Sequence, residues 1–254
     1  MDDRKTAVVL LSGGMDSLTT LGIAVEEGFE PALLHLNYGQ RTEEAELKAF
    51  NRIAQFYNIP DERKLVVHTN CFTLIGGSSL VDPSMKIPKA NLSSKKVPST
   101  YVPFRNGMLL SMAVSWAEKI GASAIYFGAV SADSSGYPDC RSEFIADFLA
   151  AARSGTINRN DIKIRAPLVD LRKAQILGIA TKLGLPLHYT WSCYERNDLA
   201  CGECDSCALR LRAFSEIGAT DPVSYAKFSK GEEVVSKVEK LNRLKHLLTA
   251  LTRQ

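Results

Sequence analysis

The chain has 254 residues, of which 45% are hydrophobic and 23% charged, and its net charge is +3. This length and composition suit one α/β domain with an appendage and exclude an intrinsically disordered chain. The small net charge argues against a nucleic-acid-binding surface, which usually makes a domain clearly basic. Because neither a membrane-spanning run nor a signal peptide is recognisable, we expect a cytoplasmic protein that binds neither membrane nor nucleic acid.

Strands and helices alternate along most of the chain. Short apolar runs predict buried strands, and amphipathic stretches between them predict helices. The predicted strands cover residues 6–11, 32–36, 64–68, 124–128 and 162–164. The predicted helices cover residues 16–27, 42–57, 106–120, 142–152 and 172–183. This alternation predicts an α/β fold with a doubly wound, Rossmann-like parallel sheet of five strands and right-handed crossovers.

Residues 71–100 interrupt the alternation with paired glycines and three prolines. We predict a long mobile loop there, since long loops in compact domains often serve as lids. Lys95 and Lys96 in this loop are candidates for neutralising a departing anion, and solvated surface charges are the alternative. The predicted domain division places the α/β domain at 1–190 and a small helical unit at 191–254.

Four cysteines open the C-terminal unit with the spacing C-x7-C-x2-C-x2-C. They are Cys193, Cys201, Cys204 and Cys207. Thiolates this close together can surround one ion, and four of them select zinc or an iron–sulfur cluster. Four protein ligands leave no open position, so we expect a structural Zn²⁺, because nothing else in the sequence suggests redox chemistry. Further on, residues 232–251 carry an apolar helical stripe that packs on its own domain or forms a subunit interface.

A glycine-rich loop joins the first predicted strand to the first predicted helix. It reads Ser12-Gly13-Gly14-Met15-Asp16-Ser17. Two glycines allow a tight turn that brings backbone N–H groups close to an anion, and the helix N-terminus adds more donors. The carboxylate of Asp16 would repel a phosphate bound beside it, so we expect a Mg²⁺ ion that bridges the two groups. The string matches neither the Walker-type loop nor the dinucleotide fingerprint.

This string resembles the Ser-Gly-Gly-x-Asp-Ser signature of the PP-loop ATP pyrophosphatase superfamily. The resemblance implies that the loop holds the β,γ-pyrophosphate of ATP, that the substrate attacks the α-phosphorus, and that adenine lies over the ends of the first two strands. The ATP-binding residues so implied are Leu10, Leu11, Ser12, Gly13, Gly14, Met15, Asp16, Ser17, Leu18, Leu36, Gly39 and Gln40. Direct catalytic roles are expected for Asp16, Ser17 and Arg105.

Four further segments, taken with the loop and the cysteines, resemble the 7-cyano-7-deazaguanine synthase (QueC) family. They are residues 101–106, 135–141, 166–168 and 190–194. The resemblance covers about residues 6–220 and implies a homodimeric, ATP-dependent ligase of queuosine biosynthesis. Such an enzyme converts 7-carboxy-7-deazaguanine and ammonia to 7-cyano-7-deazaguanine through adenylated intermediates. Phe104 departs from the family pattern, which typically has Gly at this position.

The same segments contain the candidate substrate-binding residues. They are Tyr101, Arg105, Tyr137, Asp139 and Arg141. A guanidinium can pair with phosphate or carboxylate, a carboxylate can accept from a guanine-like N–H edge, and tyrosine rings can stack on a flat base. Core packing is the alternative for the aromatic residues, and a solvated helix end is the alternative for Arg105.

Several other interpretations stay open at this stage. The first is a PP-loop enzyme that adenylates tRNA or another carboxylate. The second is a zinc-stabilised nucleotide sensor without activity, which the intact loop residues disfavour. Cys140 is a candidate nucleophile, although a small buried residue is the more ordinary role. His35 and His68 end predicted strands, where a structural role is the more common one.

Overall fold

The computed structural model describes residues 5–94, 96–131, 136–157 and 162–228. Five parallel strands form one sheet in the order β3-β2-β1-β4-β5. The strands are β1 (Thr6–Leu10), β2 (Glu30–Asn37), β3 (Lys64–His68), β4 (Ala124–Tyr126) and β5 (Lys163–Arg165). This topology confirms the predicted Rossmann-like sheet, and each predicted strand overlaps the observed one.

Seven α-helices lie in the described residues. They are α1 (Met15–Glu26), α2 (Glu43–Phe56), α3 (Cys71–Ile75), α4 (Arg105–Ile120), α5 (Ser142–Gly155), α6 (Lys173–Lys182) and α7 (Asp205–Glu216). The sequence predicted five of these, and α3 and α7 were not predicted as separate helices. None of the described helices is long and apolar enough to cross a membrane.

The sheet is buried on both faces, as its apolar strands require. Side chains of a strand alternate between faces, so Val8 and Ile125 pack toward α4 and α5. Val9 and Tyr126 pack on the opposite face with residues of α1 and α2. The central strands β1 and β4 are therefore covered by helices on both faces of the sheet.

The strand order reverses between β1 and β4. The chain moves from β1 through β2 to β3 on one side, and from β4 to β5 on the other. In open α/β sheets, ligands bind in the crevice at the carboxyl ends of strands at such a switch point. The glycine-rich loop follows β1 directly, so the fold places it in this crevice.

The segment predicted as a long loop is tied down at several points. The Ser79 N–H donates to the Ser99 carbonyl oxygen (2.8 Å), which closes the base of the segment. The Arg41 guanidinium donates to the Ser79 carbonyl oxygen (2.9 Å) and to two further carbonyls of the segment. The Ala90 N–H donates to the Glu203 carbonyl oxygen (2.8 Å). The segment also contains the helix α3 and contacts the cysteine-rich unit. Its composition revealed neither feature.

Parts of three predictions lie outside the described residues. Lys95, Ser135 and the apolar stripe at 232–251 belong to the undescribed part of the chain. Lys96 is described, and its side chain is exposed.

Candidate active site at the carboxyl end of the sheet

The glycine-rich loop turns sharply against α2. Gly13 has a φ of +90°, and a β-carbon there would lie 2.7 Å from the Glu46 carbonyl oxygen. Only glycine satisfies both the backbone angle and this close approach. The Ser17 hydroxyl lies 3.0 Å from the Gly14 carbonyl oxygen and 3.2 Å from the Ser12 hydroxyl. Both hydroxyls therefore stand together at the N-terminus of α1, where an anion is favoured.

Asp16 forms an ion pair with Lys173, a residue 157 positions further along the chain. Packing of α6 against α1 brings the two side chains together. Oδ2 of Asp16 contacts the Lys173 ammonium, while Oδ1 is buried and has no hydrogen-bond partner in the described structure. A buried carboxylate oxygen without a partner is costly, so this atom is well suited to bind a cation or a donor supplied by a ligand.

A cavity of about 270 Å³ opens above the loop. Eleven of the predicted site residues contribute to its wall. They are Leu10, Leu11, Ser12, Gly14, Met15, Asp16, Ser17, Leu36, Gln40, Arg105 and Tyr137. The wall also includes Lys173, Trp191, Tyr194 and Arg210.

Three predicted ATP-binding residues are not part of the described cavity wall. Gly13 packs on α2, and Leu18 is fully buried in the core between the sheet and α1. Gly39 has a φ of +82°, and its N–H donates to the Glu43 carboxylate (3.1 Å). Gly13 and Gly39 thus shape the loops that follow β1 and β2, and Leu18 anchors α1 in the core.

Three predicted substrate-binding residues also lie outside the wall. The Tyr101 hydroxyl accepts from the Phe104 N–H (3.0 Å). Asp139 is buried and accepts from the Asn106 N–H at the start of α4 (2.9 Å). Arg141 is exposed and immediately precedes α5. Tyr101 and Asp139 both support the N-terminus of α4, from which Arg105 projects.

Phe104 immediately precedes α4 and has a left-handed backbone conformation with a φ of +53°. This conformation is easy for glycine and strained for phenylalanine. The ring is half-exposed and meets Phe144 edge to face, with 5.7 Å between ring centroids. Phe104 is not part of the described cavity wall, so this residue changes the local turn rather than the width of the pocket.

Arg105 presents a cation to the cavity. Its guanidinium donates to the Tyr38 hydroxyl (3.0 Å) and lies 5.7 Å from the centre of that ring. Within the described part of the chain, Arg105 forms no ion pair with a carboxylate. Burial by itself would lower the pKa of Arg105. The nearby oxygen atoms of Tyr38 and Tyr137 have the larger effect, and the pKa is raised. The guanidinium is therefore a permanent charge with donors left over for a ligand.

The four cysteines of the C-terminal unit come together as the spacing predicted. Their Sγ atoms all lie within 4.8 Å of one another, and all four residues are buried. The Cys193 Sγ accepts from the Cys201 N–H (3.3 Å), and the Cys201 Sγ accepts from the Cys204 N–H (3.3 Å). Backbone N–H groups directed at sulfur favour the thiolate form, which is the form that binds metal. This group can hold a metal ion.

The chain is similar to known proteins over most of its length. The profile of the family described as "Queuosine biosynthesis protein QueC" matches residues 6–218. The chain belongs to the QueC family. The protein named 7-cyano-7-deazaguanine synthase from Chloroherpeton thalassium is 52% identical over 219 residues, which span 86% of this chain and 96% of that protein. The protein of the same name from Koribacter versatilis is 52% identical over 227 residues, which span 88% and 94% of the two chains.

Among solved structures, a 4-thiouridine synthetase–RNA complex with bound ATP aligns with a TM-score of 0.47 and 17% identity. The alignment covers 93% of this chain and 50% of that one.

Two residues that the sequence left open have structural roles in this family member. Burial raises the pKa of the Cys140 thiol to about 11, and the Asn106 amide donates to its sulfur (3.2 Å). A protonated, buried thiol is a poor nucleophile, so the structure opposes a catalytic role for Cys140. Burial lowers the pKa of His35, whose Nδ1 lies 2.9 Å from the Leu11 carbonyl oxygen. His35 thus fixes the end of β1 beneath the loop.

The cysteine-rich unit contributes directly to the cavity. The Trp191 N–H donates to the Gly13 carbonyl oxygen (2.9 Å), which fastens this unit to the phosphate loop. Arg210 in α7 is almost fully buried and makes a bidentate pair with Asp221 (2.7 and 2.9 Å). Its guanidinium also donates to the Thr190 hydroxyl (2.6 Å). Sequence reasoning missed Arg210 and Lys173, because a single basic residue on a helix gives no local signal of burial.

Proposed function

We propose that this chain is a 7-cyano-7-deazaguanine synthase, an ATP-dependent carbon–nitrogen ligase of queuosine biosynthesis. The observation that carries the proposal is 52% identity to a protein of that name over 96% of its length. The cavity supports it, because its wall contains the glycine-rich loop, an arginine without a carboxylate partner in the described structure, and aromatic side chains.

ATP is proposed to bind with its phosphates on residues 12–17 and its adenine over the ends of β1 and β2. The exposed donors of the loop and the N-terminus of α1 favour the pyrophosphate end. The buried, unpartnered Oδ1 of Asp16 supports a role in holding Mg²⁺, which would neutralise phosphate charge. Lys173 adds a cation beside the same loop, where pyrophosphate departs.

The proposed chemistry has two activation steps. In the first, a carboxylate oxygen of 7-carboxy-7-deazaguanine attacks the α-phosphorus of ATP, and pyrophosphate leaves. Ammonia then displaces AMP and gives the primary amide. In the second, the amide oxygen attacks a second ATP and pyrophosphate leaves again. Loss of two N–H protons to water and departure of AMP complete the nitrile. Adenylation is needed because an oxide is a poor leaving group, and an enclosed site protects each intermediate from water.

Arg105 and Tyr137 are proposed to contact the deazaguanine acid from the cavity wall. The guanidinium offers paired donors that match a carboxylate. Tyr101 and Asp139 support the same helix start from behind. Arg141 is exposed and lies outside the cavity wall, so it would contact the substrate only after a movement of its own segment toward the cavity.

Zn²⁺ is proposed as the ion of the four-cysteine group, with a structural role. The donor set consists of four sulfurs, and a tetrahedral zinc site with bonds of about 2.3 Å requires sulfur atoms about 3.8 Å apart. The distance between Cys201 Sγ and Cys207 Sγ is 3.9 Å, which fits. Bound there, zinc would stabilise the unit that carries Trp191 and Arg210 to the cavity.

The remaining parts of the proposal rest on the sequence pattern and, for the homodimer, on the family resemblance. They are a division into an ATP-binding domain at 1–190 and a zinc-binding unit at 191–254, a homodimer, and a cytoplasmic location. Light scattering of the purified chain tests the homodimer, and metal analysis of the same sample tests the zinc.

The deciding experiment is an assay of pyrophosphate release with ATP, ammonia and 7-carboxy-7-deazaguanine. The expected result is two pyrophosphates and two AMP for each nitrile, with mass spectrometry identifying the product. Benzoate as the acid is the control, because it offers a carboxylate without the deazaguanine ring. If pyrophosphate is released with another acid but not with 7-carboxy-7-deazaguanine, the proposed substrate is wrong. The proposal that the chain cleaves ATP would still hold.

The alternative is a PP-loop enzyme that adenylates tRNA or another carboxylate. The net charge of +3 gives it no support. Filter binding of tRNA at several salt concentrations separates the two, since phosphate contacts produce a steep salt dependence. Tight, salt-sensitive binding would favour this alternative.

A further inference from the structure

The described wall of the cavity contains two carboxylates, those of Asp16 and Glu46. Asp16 is paired with Lys173 beside the phosphate loop. Glu46 forms no ion pair with any described cation, although Arg105 contributes to the same wall. Asp139, a carboxylate that the sequence suggested for a guanine-like edge, is not part of this wall. Glu46 is therefore a carboxylate in the cavity for which the proposed reaction has no assigned use.

Neighbouring side chains hold the Glu46 carboxylate in place. The Thr42 hydroxyl donates to its Oε1 (2.6 Å), and the Gln40 amide donates to its Oε2 (3.1 Å). The Gln40 amide is itself oriented, because its oxygen accepts from the Tyr38 N–H (2.8 Å). A carboxylate oxygen can accept two hydrogen bonds, so one bond on each oxygen leaves an acceptor position on both. Burial raises the pKa of Glu46, while the two hydrogen bonds favour its charged form, as further N–H donors from a ligand would.

Two adjacent acceptors match a ligand edge that has two parallel N–H donors. The ring of 7-deazaguanine has such an edge, formed by its N1–H and its 2-amino group. The adenine of ATP does not, because its amino donor stands beside N1, which is an acceptor. The same wall also offers a cation for the acid group of the ligand. The Tyr38 hydroxyl accepts from Arg105 (3.0 Å), and the Tyr38 N–H donates to the Gln40 side chain that holds Glu46.

We propose that the Glu46 carboxylate binds the N1–H and 2-amino edge of the deazaguanine acid and so selects this ring among carboxylic acids. This inference rests on the proposed function and names a residue that determines its substrate specificity. Arg105 binds the acid group of the same molecule. An acid that lacks the donor edge leaves the Glu46 carboxylate desolvated without these partners, and such unpaired polar groups are the strongest source of discrimination between similar ligands.

A pair of acids and an isosteric variant test this assignment. 7-Carboxy-7-deazahypoxanthine lacks the 2-amino group and keeps the acid, and kcat/KM is measured for it and for 7-carboxy-7-deazaguanine. We expect the unaltered chain to prefer the deazaguanine by about tenfold or more, and Glu46→Gln to reduce this preference to about threefold or less. The KM for ATP should stay unchanged in Glu46→Gln, because adenine lacks the matching edge.

Glu44→Gln is the control, because Glu44 lies on the same helix but is exposed and does not contribute to the described cavity wall. An unchanged unfolding midpoint in Glu46→Gln shows that its fold is intact. If its turnover is too slow to measure, the dissociation constants of the two acids from calorimetry give the same preference. An unchanged preference in Glu46→Gln, no preference in the unaltered chain, or a loss confined to ATP would overturn the assignment. Failure of the proposed function looks different, because the unaltered chain then converts neither acid.

Discussion

Arg210 is expected to be one of the most costly residues to replace in the cysteine-rich unit. Its side chain is 2% exposed and that of its partner Asp221 is 4% exposed. Arg210→Met removes the bidentate pair and leaves the Asp221 carboxylate buried without its counter-charge. Breaking a buried pair in this way costs about 3–5 kcal/mol, which is a large fraction of the about 5–15 kcal/mol that stabilises a typical protein. Urea unfolding of the zinc-loaded chain, followed by circular dichroism, measures this loss.

A second arginine provides a matched control. Arg196 also makes a bidentate pair, with Asp198, but these side chains are 43% and 64% exposed. Exposed pairs contribute little because solvent screens them, so Arg196→Met should leave the free energy of unfolding nearly unchanged. Adding Asp221→Asn to Arg210→Met should restore part of the loss, because the buried charge is then gone. Similar losses for Arg210→Met and Arg196→Met would refute the reasoning from burial.

Three further predictions concern the cavity and its surroundings. Lys173→Met removes the cation paired with Asp16 and should lower kcat/KM for ATP by about a hundredfold or more in a pyrophosphate-release assay. Lys182→Met, at the exposed far end of α6, should leave this value unchanged, and an equal loss in both variants would contradict the assignment. Phe104→Gly should be more stable than Phe104→Ala by about 1 kcal/mol in thermal unfolding, because both lose the ring and only alanine keeps the left-handed strain. Cys140→Ser should retain activity within about threefold in the same assay, since the raised pKa of the thiol opposes a nucleophilic role; complete loss in a folded variant would show otherwise.

Much of the fold is determined by local sequence pattern. The apolar run at 6–11 and the glycines that follow it predict a strand, a turn and a helix, because each element forms from neighbouring residues. The cysteine spacing predicts a metal site for the same reason, since three of the four ligands lie within seven residues. The alternation of strands and helices then restricts the sheet to parallel topologies. These features were predicted from the sequence and are present in the structure.

The tertiary structure decided which distant residues complete the site. Lys173 pairs with Asp16 only because α6 packs on α1, and the Trp191 N–H reaches the Gly13 carbonyl oxygen only because the cysteine-rich unit folds back over the loop. Asp139, a predicted substrate contact, also accepts from the Asn106 N–H at the start of α4, which lies 33 residues before it in the chain. No local pattern distinguishes a buried arginine such as Arg210 from an exposed one, because burial depends on long-range packing. The local sequence of the glycine-rich loop therefore predicted the use of ATP. Contacts between residues far apart in the sequence formed the cavity beside this loop.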